Sequence, residues 1–312
     1  MRDLLYRPKG GPVVVGFANE GGGTRKTNGA VNIAVELAHR GLKTWLADGD
    51  QTMAASCYLG YGVTNKKHNP AREKAVYARL EQMTNIYDVL HGRATLAEAT
   101  VPARHRSQPA REWDFLDDDS DDCFTVIPNL RLVLGSRAMV DASNDITNPR
   151  KGRGEQWLRR AIKDVPAGEV DVICVDFRGT FDILEYSEVA ACDFIVGCVK
   201  PDTKDDDTLT SLTRFLESAK ERFEFSGGAA DLRYVMINGT QPKNRGSHFG
   251  EIVEDIKSFY DDRVLPTISE SVIVGESVRY QEAVRYYCDS EDDKPVQEFK
   301  AVADVLEPLL KR

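Results

Sequence analysis

The sequence predicts an α/β fold: one domain with a mostly parallel, twisted sheet and helices on both faces. Three observations predict it. Short apolar runs alternate with stretches of helical periodicity, two of the runs end in aspartate, and a glycine-rich turn separates the first run from the first helix. Strands buried on both faces read as continuous apolar runs, and their alternation with helices is the mark of a parallel sheet.

The elements follow in order. Residues 12–18, with Val13-Val14-Val15-Gly16-Phe17 at their centre, read as a buried strand. Residues 26–40 read as an amphipathic helix with Ala30, Ile33, Ala34, Leu37 and Ala38 on one face, stopped by Gly41. Thr44–Ala47 is the second strand and runs into Asp48-Gly49-Asp50. Val172–Val175 is another and ends in Asp176. Phe194–Val199 and Tyr234–Ile237 are further strands, separated by a helix carrying Leu209, Leu212, Phe215 and Leu216. A last helix over about 295–310 puts Phe299, Val302, Leu306 and Leu309 on one face. The whole chain, 1–312, reads as one domain with insertions at about 62–83 and 104–124. Residues 72–83 look helical and polar. The second insertion carries Arg104, Arg106 and Arg111 and the acidic run 117–122, and reads as an exposed solvated loop or an acidic docking loop. No internal repeat is present.

The 312 residues carry a net charge of −9, so no global basic field draws the chain to nucleic acid or anionic lipid. No long apolar stretch supports a membrane span or a signal peptide. The six cysteines form no C-x-x-C pair and no zinc spacing; Cys174, Cys192 and Cys198 lie in apolar runs and read as buried thiols. A reduced cytoplasmic protein is expected. The five histidines are dispersed, and no catalytic triad or zinc constellation can be assembled from them. His39, at a helix end, reads as a dipole-stabilising residue.

The chemistry gathers in three segments. Residues 19–27 read Asn-Glu-Gly-Gly-Gly-Thr-Arg-Lys-Thr between a strand and a helix. That is the layout of a P-loop, in which backbone N–H groups and a helix N-terminus hold phosphates. Gly22, Gly23, Thr24, Arg25, Lys26, Thr27 and Asn28 are the candidate phosphate-binding residues. The second segment is Asp48-x-Asp50 and the third is Asp176, placed as a Walker B aspartate. All three fall at C-terminal strand ends, where parallel sheets bind ligands. Thr27, Asp48 and Asp176 are candidates to hold a magnesium ion and its waters. Asp50, with Lys26, is the catalytic candidate: it would orient or deprotonate an attacking water.

In this order and spacing the chain resembles the ParA/MinD family of deviant Walker A ATPases, and ParA partition proteins most. The family reads KGGxGKT followed by a helix like Ala30-Val31-Asn32-Ile33-Ala34. Its D-x-D is similar to Asp48-Gly49-Asp50, and its Walker B to Asp171–Asp176. Asn238 matches an asparagine that contacts adenine in relatives. The segments 85–90, 129–133 and 264–310 are also similar. The resemblance implies ATP and Mg2+ as cofactors, a homodimer, non-specific DNA as a partner, and a ParB-like centromere-binding protein or cargo adaptor that stimulates hydrolysis. It implies nucleoid association where DNA binding is kept.

The departures are specific. Gly21 replaces the signature lysine that in relatives reaches across the dimer to the other subunit's nucleotide. Arg25 replaces the glycine before Lys26, where a side chain would crowd a phosphate or fold outward as a substitute charge. Arg178-Gly179 replaces a proline pair, with Arg178 either near phosphate or on the surface. The family's basic I-P-R-x-x-R stretch reads Ile268-Ser269-Glu270-Ser271-Val272-Ile273, without either arginine. Lys243, Arg245, Arg279 and Arg285 remain as DNA-binding candidates.

Three readings follow. The chain is a partition or cargo-positioning ATPase whose activity Gly21 and Arg25 weaken or remove; a non-hydrolysing scaffold of the same fold; or a metabolic P-loop enzyme such as a biotin-pathway ligase or another amide-forming ATPase. The 264–310 resemblance opposes the third. The cysteines stand in no context matching the nitrogenase iron protein, which opposes a redox role.

Overall fold

A computed structural model describes residues 11–62, 70–107, 123–148, 154–201, 205–240 and 247–311. The elements are β1 (Val13–Ala18), α1 (Lys26–His39), β2 (Thr44–Asp48), α2 (Ala54–Tyr58), α3 (Pro70–Leu80), α4 (Ile86–Leu90), β3 (Thr100–Arg106), β4 (Phe124–Val133), α5 (Ala142–Thr147), α6 (Trp157–Lys163), β5 (Val172–Asp176), α7 (Ile183–Ala191), β6 (Phe194–Val199), α8 (Asp205–Arg222), β7 (Asp231–Thr240), α9 (Ser247–Tyr260), β8 (Ile268–Ser269), α10 (Val272–Tyr280), α11 (Val284–Tyr287) and α12 (Lys294–Leu310).

The strands form one sheet in the order β3-β4-β2-β5-β1-β6-β7-β8. Every neighbouring pair is parallel except β3 with β4. Side chains alternate between two cores, as the period of a strand requires. Val13, Val15 and Phe17 face α1 and α12; Val14 and Ala18 face the other layer, with Trp45 and Trp157.

Helix α1 departs from the expected one-sided pattern. Its residues from Asn28 to Ala38 are all buried, because α11 and α12 cover the side that the sheet does not. The polar residues on that side find partners inside. Asn32 Oδ1 accepts from the Val284 amide at 2.7 Å, and Glu36 takes two bonds from Arg285 at 2.9 and 2.8 Å. Arg285 is therefore not a surface cation for DNA: its guanidinium is buried against Glu36, and removing one partner of such a pair leaves an uncompensated buried charge. Leu310, not Leu309, completes the inner face of α12.

The stretch expected to be an exposed insertion from 104 to 124 begins and ends as strand. Arg104 and Arg106 belong to β3, are buried, and face the rings of Tyr61 and Phe124. Pro102 and three basic residues hide this edge hairpin from a pattern search, since proline and cations are what edge strands carry. The acidic run 117–122, Lys243 and Arg245 lie outside the described residues. The thiols of Cys174, Cys192 and Cys198 are buried, as expected. Among the described residues no helix is long and apolar enough to cross a membrane.

Candidate functional site

The three predicted segments meet at one end of the sheet. Asp48 and Asp176 close β2 and β5 in direct register, side by side, and β1 on the other side of β5 feeds the glycine-rich loop. The loop lies across the strand ends. Gly21 has φ +83° and its N–H donates to Gly179 O at 2.8 Å; a Cβ on Gly179 would stand 2.6 Å from Gly21 O, so this backbone contact needs a glycine at 179. A lysine at position 21 would have open space, but left-handed backbone costs a non-glycine residue about 1–2 kcal/mol.

Helix α1 starts without a side-chain cap: Arg25 occupies the capping position in left-handed geometry (φ 62°, ψ 30°) and caps nothing. The first amide groups of the helix are thus left for an anion, which the helix dipole favours. Lys26 crosses the loop. Its Nζ donates to Gly21 O at 2.7 Å and to Thr24 Oγ1 at 3.2 Å. Burial lowers its pKa, while Asp176, Cys198, Asp50 and Glu185 pull it back up.

Arg25 reaches the segment after β8, where Nη2 donates to both oxygens of Glu270 at 2.7 and 2.8 Å while Nη1 is buried without a partner. Arg178 is not a surface arginine. It is buried and bonds Glu185 at 2.9 Å, Asp182 at 2.7 Å and Ser143 at 3.1 Å, tying the β5 exit to the capping box of α7.

The acids differ in environment. The Asp48 carboxylate accepts from the Ser56 amide at 2.8 Å and the Ser56 hydroxyl at 2.6 Å. Burial still raises its pKa to about 7, with Asp50 adding to the rise. The Asp176 carboxylate is fully buried, with the Thr27 side chain beside it. Burial, then the charge of Asp48, raises its pKa well above the ordinary value, while Thr27 and Lys26 favour the charged form. Asp50 lies nearer solvent and accepts from the Thr52 amide at 2.8 Å. The side chains of Asn28 and Asn238 are buried, Asn28 by the Tyr58 hydroxyl and Asn238 near Gly29.

Sequence reasoning missed two residues here. Ser56 orients Asp48 from α2. Glu188 of α7 is fully buried without a hydrogen-bond partner, and its carboxylate leaves no room for a Cβ on Gly49. The only sequence signal for Glu188 is an acid on the apolar side of α7.

These residues fit a magnesium ion beside a phosphate. A fully buried carboxylate requires a cation or a proton. Among the described residues no three His, Cys, Asp or Glu side chains converge as a metal cage. Magnesium suits such a site: it takes one or two protein oxygens and completes its shell with water and phosphate.

One expected result follows from Asp48. Its folded pKa, about 7, lies above the ordinary 3.8. Between those values the folded protein holds a proton that the unfolded chain has released, so stability falls as pH rises. Without metal, the loss from this carboxyl amounts to roughly 4 kcal/mol across that window. Denaturant unfolding at stepped pH measures it. Asp48→Asn should flatten the slope, and an unchanged slope would contradict the assignment.

Comparison with known proteins agrees with this geometry. Residues 13–226 match the family model AAA_31, described as an AAA domain. The chain is 24% identical to the chromosome partitioning protein ParA of Caulobacter vibrioides over 280 residues, 88% of this chain and 86% of that protein. Its fold is similar to that of McdA from Cyanothece in complex with ATP, at TM-score 0.70 and 13% identity over 96% of this chain and 98% of that one. It is also similar to cobyrinic acid a,c-diamide synthase from Mycobacterium smegmatis with bound ATP analogue and magnesium, at TM-score 0.66 and 17% identity over 96% of each chain. The P-loop fold of the ParA/MinD kind, expected from the sequence, is borne out.

Proposed function

The chain belongs to the AAA_31 family of AAA domains, and on that premise we propose that it is a ParA-like ATPase that binds Mg-ATP at the 21–28 loop and serves in partition of DNA or positioning of another cargo. The observation that carries this reading is the fully buried Asp176 carboxylate set beside Thr27 and Lys26 at the end of β5. In the proposed site Gly22, Gly23, Thr24 and the first amides of α1 cradle the phosphates. Lys26 leaves Gly21 O to bind them, and Thr27 and Asp176 hold the metal. Asp48, fixed by Ser56, orders water around it. Magnesium, when bound, would neutralise phosphate charge. Asp50, placed at the mouth by the Asp48-Gly49-Asp50 turn, orients the attacking water. Asn238, whose buried amide has no partner, supplies donor and acceptor groups for the nucleoside, with Asn28 nearby at the start of α1.

The resemblance to ParA partition proteins implies a homodimer and a ParB-like protein or cargo adaptor as partners. Non-specific DNA binding has weaker support. Glu270 and Ile273 stand where arginines were sought, Glu270 is engaged with Arg25, and Arg285 is buried. Arg279 on α10 is exposed, and it is the surviving candidate among the described residues. The fold likeness to an amide-forming synthase shows that the sheet alone does not choose the reaction. A nucleotide-free scaffold is the second reading, favoured by Lys26, which closes the loop on its own carbonyl.

Thermal unfolding tests the proposal. Mg-ATP at a hundredfold excess over its Kd should stabilise the protein by about 2.7 kcal/mol. In Asp176→Asn the magnesium-dependent part of that gain should vanish, with little loss of metal-free stability, since an amide replaces a buried carboxyl of the same shape. Wild-type protein that melts identically with and without Mg-ATP would favour the scaffold.

A further inference from the structure

Two of the departures from the family pattern, Arg25 in the phosphate loop and Glu270 after β8, lie 245 positions apart in the chain and meet in space. Arg25 Nη2 donates to both Glu270 oxygens at 2.7 and 2.8 Å, and the side chains are only 16% and 29% exposed. The backbone holds both partners to this arrangement. Glu270 N donates to Thr240 O at 2.8 Å, which pins the acid to the end of β7. Ser269, one residue earlier, donates its amide to Glu298 of α12 at 2.9 Å. Gly239 makes room for the pair. A Cβ there would stand 2.6 Å from Glu270 Oε2 and 3.4 Å from Arg25 Nη1, and its φ of +92° is one that glycine adopts freely.

We propose that Arg25 and Glu270 form a charge-neutral clasp that turns the guanidinium away from the phosphates and ties the loop to the β8–α10 segment. Both are positioning residues. An arginine alone at position 25 would put an extra cation and a long side chain beside the phosphate cradle. A glutamate alone at position 270 would put a half-buried anion near it and oppose a triphosphate. Together they cancel, and each explains why the other is tolerated. The clasp also fixes the left-handed turn at Arg25, a conformation that a non-glycine residue keeps only when its surroundings impose it. Loop and C-terminal segment are thereby coupled: a ligand that moves one must move or break the other.

The effect of the clasp on nucleotide rests on the proposed ATP site, whereas its effect on folding does not. A double-mutant cycle separates the two, using Arg25→Gln, Glu270→Gln and the double variant of the full chain. In denaturant unfolding without nucleotide, each single change should raise the unfolded-to-folded ratio by about three- to tenfold. The double variant should raise it by clearly less than the product of the singles. In calorimetric titration with Mg-ATP, Glu270→Gln should tighten binding by about threefold or more, Arg25→Gln should weaken it comparably, and the double variant should lie near wild type. Additive stabilities would overturn the clasp. So would loss of Mg-ATP binding in Arg25→Gln with Glu270→Gln unaffected, which would make Arg25 a phosphate ligand. A wild-type protein that binds no Mg-ATP would defeat the ATP reading, and the unfolding cycle alone would still decide the clasp.

Discussion

Asp50→Ala should leave Mg-ATP bound and lower its turnover by about 100- to 10,000-fold, the range typical of losing a general base or water-orienting group. The reason is the division of labour among the three aspartates. Asp48 and Asp176 are fully buried at the ends of adjacent strands, and Asp48 is committed to Ser56. Neither is free to meet a water arriving from solvent. Asp50 is half-buried at the mouth, with Oδ1 held by the Thr52 amide, so its carboxylate has a fixed orientation and access to water. Phosphoryl transfer relies on such positioning more than on covalent help. Phosphate release measures the loss, and titration with Mg-ATP shows that binding persists. Turnover that survives in Asp50→Ala would remove Asp50 from the mechanism.

Lys26→Ala should weaken Mg-ATP binding by about 100-fold or more, as expected for charged hydrogen bonds worth roughly 1.5–3 kcal/mol each. Ordinarily two cations would share this work. Here Gly21 offers no side chain and the Arg25 guanidinium is spent on Glu270. Lys26 is left as the one side-chain cation of the 21–28 loop, already aimed across it. Burial lowers its pKa, and Asp176 and Asp50 oppose that shift. Unfolding of the variant without nucleotide checks that the fold persists. Binding close to the wild-type value would mean that the helix N-terminus alone holds the phosphates.

The parts of the fold that were legible in the sequence are those written locally. The runs before Asp48 and Asp176 and the glycine-rich turn before Lys26 each announce a strand end or a helix start, and all three segments meet as expected. What stayed hidden depends on distant partners. Arg178 reads as a lone surface or phosphate arginine until α7 brings Asp182 and Glu185 to it. Arg285 reads as a spare cation until α11 lays it on Glu36. Helix α1 reads as amphipathic, but its polar side is covered by α11 and α12, from the other end of the chain. The β3 strand is masked by Pro102 and its cations, and Glu188 by the absence of any motif around it. Arg25 and Glu270 were each visible as an oddity; only the fold shows that they are one feature.

The central claim is that the 21–28 loop accepts Mg-ATP although Arg25, paired with Glu270, stands where a glycine is expected. Calorimetric titration of Mg-ATP into the unmodified chain tests it most directly. Saturable binding that requires magnesium, with one nucleotide per chain, is the predicted result. No heat from the chain as it stands, with binding appearing once Arg25→Gly is introduced, would contradict it and show that Arg25 closes the loop.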